Sequence, residues 1–187
     1  MVLDNNIPPE MCNEIIRRFE NDQRKSPGQT GAVYTPEVKT SVDLMISRYT
    51  EWEDIENYLS RKLQENLYKY DEFLSSKLPF YMSHSKTKHS GFQIQKSGFY
   101  KWHQDSRNDH GRERMLTFIW YLNTIPPENG GETGFLHRKV QPVTGRFVFF
   151  PATWDYAHCG FETKDKYIVT GWTHREYAAP PNYIRDK

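Results

Sequence analysis

From residue 91 onward the chain is written in short apolar runs parted by turn residues. Gly91-Phe92-Gln93-Ile94-Gln95 alternates, and Met115 through Leu122 is β-branched and aromatic. Phe147-Val148-Phe149-Phe150 and Tyr167-Ile168-Val169-Thr170 follow. Ser97-Gly98, Pro126-Pro127, Gly130-Gly131 and Thr144-Gly145 separate them, with no helical period between. Such a series predicts short strands forming a sandwich or barrel. Phe147, Phe149 and Phe150 read as core.

The first third follows a different period. Pro8-Pro9-Glu10 suits a helix start, because proline is tolerated in the first turn. Met11, Ile15, Ile16 and Phe19 recur at helical spacing. Residues 21–31 are polar and contain proline and glycine, which predicts a loop. Thr50 and Glu53 have the spacing of a capping box. Beyond them Trp52, Ile55, Leu59, Leu63 and Leu67 mark one face of a long helix running towards Lys77. The chain therefore reads as one domain over 1–187: helical support in 1–80, a β-core in 90–177 and a tail in 178–187. The fold class is mainly β with N-terminal helices.

Composition excludes several classes. Mean hydropathy is −0.85, yet 15% of residues are aromatic, enough rings to build a core and unlike a disordered chain. The formal net charge is only +1, which argues against a nucleic-acid partner. The two cysteines, Cys12 and Cys159, make neither a disulfide framework nor a cysteine zinc motif. No apolar run has the length of a membrane span, and the start lacks the basic and apolar regions of a signal peptide. A soluble, cytoplasmic or otherwise intracellular protein is expected, with no membrane partner.

His103-Gln104-Asp105 carries the first chemical signal. Alternation along a strand puts residues i and i+2 on one face, so an imidazole and a carboxylate can share one ion. One distant His would complete a two-His-one-carboxylate facial triad, the iron site of non-haem oxygenases. His137, His158 and His174 compete for that place. His158 lies far enough downstream for several strands to wrap and return, whereas His137 adjoins a turn-rich stretch and His174 follows the last strand run. His84, His89 and His110 sit in polar stretches and read as solvated. Lys166 heads the strand after His158, where a buried cation could hold the far carboxylate of a chelating dicarboxylate, with Thr170 or Tyr121 adding a hydroxyl. Arg146 is its competitor, but only if His137 is the second His. Cys159 reads as a small apolar filler.

In order and spacing, residues 91–176 resemble the 2-oxoglutarate- and Fe(II)-dependent dioxygenases of the prolyl 4-hydroxylase type. The matching pieces are Gly98 through Asp105, Arg114 through Thr117 with Tyr121-Leu122-Asn123, and Gly130 through Phe135. Val140-Gln141-Pro142, Gly145, Phe149-Phe150, His158 and Lys166 through Trp172 complete them. The resemblance implies a double-stranded β-helix core, a jelly-roll and cupin relative, with helical support. It implies iron held by His103, Asp105 and His158. Lys166, Tyr121 and Thr170 would take the 2-oxoglutarate distal carboxylate, and Tyr100, Arg114 and Trp172 the substrate side. It further implies dioxygen as co-substrate, ascorbate as an additional ligand, and hydroxylation of prolyl residues in a peptide or protein. The same chemistry on a free amino acid, a lysyl side chain or a small metabolite stays open. Gln95 departs from the pattern, since many members carry a co-substrate-contacting Tyr there. A Lys at 166 is similar to the collagen-type and microbial branch; the oxygen-sensing branch uses Arg. Residues 21–31 and 106–113 are the expected lids.

Overall fold

The computed structural model describes residues 1–31, 33–78, 87–109 and 112–176; for Asn108, Asp109 and Glu176 it describes the backbone alone. The sequence readings of His84, His110 and the 178–187 tail fall outside these residues, as does part of the 106–113 lid. Among the described residues, two α-helices and twelve strands stand in the order β1 (Val2–Leu3), α1 (Pro9–Asn21), β2 (Ser26–Pro27), β3 (Lys39–Met45), α2 (Glu53–Ser75), β4 (Lys88–His89), β5 (Gln93–His103), β6 (Asn108–Asp109), β7 (Arg112–Tyr121), β8 (Thr133–Phe135), β9 (Arg138–Val140), β10 (Phe147–Pro151), β11 (His158–Gly160) and β12 (Lys166–Glu176).

All described strand pairs are antiparallel, and the sheet curls on itself. Its path runs β1-β10-β7-β12-β5-β11-β8-β9, with β3 on the far side of β5 and β2 beyond it. The turn from the large layer into the small one happens within β5. Gln93 to Ser97 face Thr170 to Lys166 of β12, whereas Tyr100 and His103 face Gly160 and His158 of β11. A strand that changes partners in this way makes a corner between two layers. This is the curled antiparallel half-barrel expected of a jelly-roll core.

Alternation sorts side chains between two interiors. Leu116, Phe118 and Trp120 of β7, Phe147 and Phe149 of β10, and Val169 of β12 pack with the helices. Ile119, Tyr121, Val148, Phe150 and Ile168, from the same strands, point into the curl. Each fully buried aromatic contributes roughly 1.5–3 kcal/mol relative to exposure. α2 buries Ile55, Leu59, Leu63 and Leu67, the face its period predicted. α1 buries Cys12, Ile15 and Phe19, while Met11 and Ile16 stay only half-buried. Asn66 of α2 exchanges amide hydrogen bonds with Asn6, at 2.8 and 2.9 Å, and Asn6 Oδ1 also accepts from Trp120 Nε1 at 2.7 Å. The N-terminus, the long helix and the central strand are thereby fastened to one another.

Several local expectations are corrected. The capping box does not form: Thr50–Trp52 is a 3-10 turn, and Trp52 caps α2 without a side-chain bond. Acidic Glu53, Asp54 and Glu56 in the first turn suit the helix dipole instead. Ser97-Gly98 is not a turn but mid-strand; a Cβ on Gly98 would meet Thr40 Oγ1 at 2.3 Å, so glycine permits the approach of β3. The helical first third also contains β3, and the 21–31 loop contains β2. β3 was hidden because Lys39, Ser41 and Asp43 make its inward face polar, without apolar alternation. His89 is half-buried rather than solvated: its Nδ1 accepts from Gly91 N at 3.2 Å and its ring lies 4.7 Å from Phe92.

Candidate active site

The corner in β5 builds the site. His103, its last residue, directly faces His158 of β11, the close juxtaposition of an antiparallel pair. Asp105 follows two residues later on the same side. His103 Nε2 lies 3.8 Å from Asp105 Oδ1, and His158 Nε2 lies 3.6 Å from Asp105 Oδ2. One ligand atom from each of the three lies within 4.8 Å of the others, the spacing of a shared ion. Each imidazole is oriented from behind. His103 Nδ1 donates to the Lys101 carbonyl at 2.7 Å, and His158 Nδ1 donates to the Tyr156 carbonyl at 3.1 Å. A carbonyl only accepts, so both Nδ1 atoms carry a proton, and both Nε2 atoms face Asp105. The Thr117 hydroxyl donates to Asp105 Oδ2 at 2.7 Å.

The electrostatics match. Burial, reinforced by the neighbouring His158, pushes His103 down to about 4. Burial opposes charge on Asp105, but His158, His103 and the Thr117 hydroxyl outweigh it and hold the carboxyl below its usual range. At neutral pH His103 is a neutral imidazole and Asp105 a carboxylate, the protonation states that binding a divalent cation requires. The competitors lie elsewhere: His137 is exposed beyond β8, and His174 faces Arg114 in the β12–β7 ladder.

Beside this cluster lies a cavity of about 640 Å³. Lys166, Ile168, Thr170 and Trp172 line it from β12, and Thr117 and Ile119 from β7. Lys166 is 4% exposed, and its ammonium donates to the Gly131 carbonyl at 2.7 Å. Burial pushes its pKa down to about 8. No carboxylate lies within ion-pair distance of it among the described residues, so the charge is available to an anion. Thr170 Oγ1 donates to the Phe118 carbonyl at 2.9 Å. Tyr121 is fully buried and gives its hydroxyl proton to Thr133 Oγ1 at 2.6 Å; Thr133, not Tyr121, reaches the cavity wall. Arg146 is outside the cavity, bound to Asp4 at 2.5 Å and to the Gln141 carbonyl at 2.9 Å.

Tyr100, Arg114 and Trp172 share the cavity with the His-Asp-His cluster. The Tyr100 ring stacks on His103, with centroids 3.5 Å apart and planes 18° apart. The Arg114 guanidinium lies 3.6 Å over the Trp172 ring. Residues from the expected lids line it too, Gln29 and Thr30 from one and Ser106 and Arg107 from the other. Gln95 also lines the wall. Sequence reasoning missed the contribution of β3, where Lys39, Ser41, Asp43 and Met45 alternate along the cavity. The period-2 polar spacing of Lys39, Ser41 and Asp43 was the available signal.

Residues 89–174 match the family model described as the 2OG-Fe(II) oxygenase superfamily. The match covers a little under half of the chain. No curated protein matches the chain significantly in sequence. Solved structures share the fold of this chain. A viral collagen prolyl hydroxylase from Paramecium Bursaria Chlorella virus-1 is 21% identical with a TM-score of 0.62, over 93% of this chain and 94% of that one. A prolyl hydroxylase from Trichoplax adhaerens, solved with a hypoxia inducible factor peptide, reaches a TM-score of 0.75 at 17% identity, over 92% and 82%. A Pseudomonas putida prolyl-4-hydroxylase gives 0.63 at 18%, over 95% and 92%. The superfamily uses Fe(II), 2-oxoglutarate and dioxygen, and the donor set here fits them. Two imidazoles and one carboxylate suit Fe(II) and leave positions for a chelate and dioxygen, and the uncompensated Lys166 suits the second carboxylate. No described helix of the chain is long and apolar enough to cross a membrane.

Proposed function

We propose that this 2-oxoglutarate-dependent oxygenase hydroxylates prolyl residues within a peptide or protein. In this reading His103, Asp105 and His158 hold the iron, and Lys166 receives the distal carboxylate of 2-oxoglutarate, joined by Thr170 once its hydroxyl turns from the Phe118 carbonyl to the ligand. Tyr121 supports that end indirectly, by orienting Thr133. When bound, iron and 2-oxoglutarate together supply the activation of dioxygen for hydroxylation of an unactivated C–H bond. The protein's own work is to orient and to exclude water. The carbonyls of Lys101 and Tyr156 fix the imidazoles, and Thr117 fixes the carboxylate. Tyr100 and the stacked Arg114–Trp172 pair offer an apolar wall for a pyrrolidine ring and a guanidinium for a peptide carbonyl.

The observation that carries a peptide rather than a free amino acid is the length of the cavity. Its lining runs from His103 and Asp105 along β3, from Lys39 to Met45, and on to Arg48. At a rise of about 3.3 Å per residue, β3 alone spans roughly 20 Å, the reach of several extended residues. The solved prolyl hydroxylases of the same fold point to the same substrate class.

The test is incubation of the Fe(II)-loaded protein with 2-oxoglutarate and a panel of proline-containing peptides, read by mass for an added oxygen. Free proline, lysyl peptides and proline-free peptides serve as the other arms. Hydroxylation confined to prolyl peptides supports the reading. Oxygen on free proline or on a lysyl side chain, with none on prolyl peptides, overturns it.

A further inference from the structure

The iron and 2-oxoglutarate assignments leave the polar face of β3 without a role. Lys39 and Asp43 are each only 5% exposed and form an ion pair at 3.0 Å. Asp43 accepts two further hydrogen bonds: Ser41 Oγ donates to its Oδ1 at 2.7 Å, and Gln93 Nε2 donates to its Oδ2 at 2.8 Å. From outside, the backbone N–H of Gly28 donates to the Ser41 carbonyl at 2.8 Å. A Cβ at Gly28 would lie 2.0 Å from Ser41 Oγ, so the 26–30 segment closes tightly over the network.

Lys39 is not saturated. An ammonium carries three donors, and Asp43 takes one. Among the described residues no second acceptor lies within hydrogen-bond distance of Nζ. The ammonium lies 5.3 Å from the centroid of the Tyr100 ring, which in turn stacks on His103. Lys39 and Tyr100 are directly paired across β3 and β5, so this cation stands beside the reaction centre. Ser97, which faces Ser41 on β5, lines the same wall, and its buried Oγ has no hydrogen-bond partner among the described residues.

We infer that Lys39 is a substrate-binding residue that donates to a main-chain carbonyl of the peptide beside the reacting proline. The inference rests on the peptide reading given above. Charge separates this lysine from Lys166. The Lys39–Asp43 pair is neutral as a unit, so its spare donors suit a neutral carbonyl, whereas the uncompensated Lys166 suits a carboxylate. The ligand's chemistry agrees: proline has no N–H, so a proline-containing segment offers more acceptors than donors. A wall with unspent donors complements it. Asp43 is a positioning residue that holds the ammonium in place.

The test uses the Lys39→Met/Asp43→Leu double variant, which removes both charges and leaves neither buried alone. Peptide KM, and peptide Kd by calorimetry on the Mn(II)- and 2-oxoglutarate-loaded protein, should rise about tenfold, the loss of one hydrogen bond, while the 2-oxoglutarate KM stays put. Lys39→Gln, which keeps a donor, should recover most of the peptide affinity. Unchanged peptide affinity in the folded double variant overturns the inference. So does a rise in the 2-oxoglutarate KM alone, which would give Lys39 to the co-substrate.

Should the double variant fail to fold, the wild-type protein is assayed with peptides in which single carbonyls flanking the proline are replaced by methylene. A loss of about tenfold at one position, absent in Lys39→Met, which has no donor, supports the contact, and uniform tolerance overturns it. If wild type hydroxylates no prolyl peptide, the substrate reading has failed and takes this inference with it. If it hydroxylates prolyl peptides and Lys39 makes no difference, this inference alone has failed.

Discussion

Lys166 is held in its cavity against its own solvation. Burial pushes its pKa from about 10.5 down to about 8, so between those values the unfolded chain binds more protons than the folded one. The penalty is therefore complete below pH 8 and is relieved as pH rises towards 10.5. Lys166→Met should stabilise the ligand-free protein at pH 7, by on the order of 1–3 kcal/mol, with the gain shrinking above pH 8. Thermal unfolding across pH checks this. The same substitution should raise the 2-oxoglutarate KM strongly while metal binding survives, a trade of stability for function. In wild type, 2-oxoglutarate affinity should fall as pH climbs past 8 and the ammonium loses its proton. Arg146→Ala should leave the 2-oxoglutarate KM unchanged, because Arg146 serves Asp4 and the Gln141 carbonyl at the surface. Reversed effects of the two variants would return the anchor to Arg146. On the substrate side, Arg114→Ala and Trp172→Ala should each raise peptide KM, since the stacked pair forms one wall.

Elements explain which parts of the chain could be read in advance. Strands that face the aromatic core show it: Leu116, Phe118 and Trp120 alternate with residues of the inner curl, and α2 repeats Ile55, Leu59, Leu63 and Leu67 at helical spacing. His103 and Asp105 were legible because strand alternation puts them together without tertiary information. His158 was legible from the strands available to wrap between it and His103. What stayed hidden is made by neighbours that sequence does not name. Gly98 looks like a turn residue until Thr40 is placed 2.3 Å from its missing Cβ. Thr50 and Glu53 have capping-box spacing, but a 3-10 turn occupies the place. β3 has a polar inner face because it lines a cavity, so it lacks the apolar alternation of a core strand. Two stability measurements check these corrections. Gly98→Ala should destabilise by about 1–3 kcal/mol through the clash with Thr40. Thr50→Ala should change stability by less than about 0.5 kcal/mol, where loss of a working cap would cost about 1. A large loss in Thr50→Ala would restore the capping box.

At the scale of the molecule, the curl of one sheet does the organising. β5 belongs to two layers, and its partner change between Ser97 and Tyr100 sets the site at the corner where they meet. One face of that sheet is sealed by α1 and α2. The other carries the His-Asp-His cluster, Lys166 and the β3 polar face along a single cavity. The central claim is that His103, Asp105 and His158 form one metal centre. Calorimetric titration of Mn(II) into the wild-type protein and its alanine variants tests it most directly. One high-affinity ion is expected in wild type, His137→Ala and His174→Ala, and its loss in His103→Ala, Asp105→Ala and His158→Ala. Retention of that ion in folded Asp105→Ala and His158→Ala, with its loss in His137→Ala or His174→Ala, would contradict it.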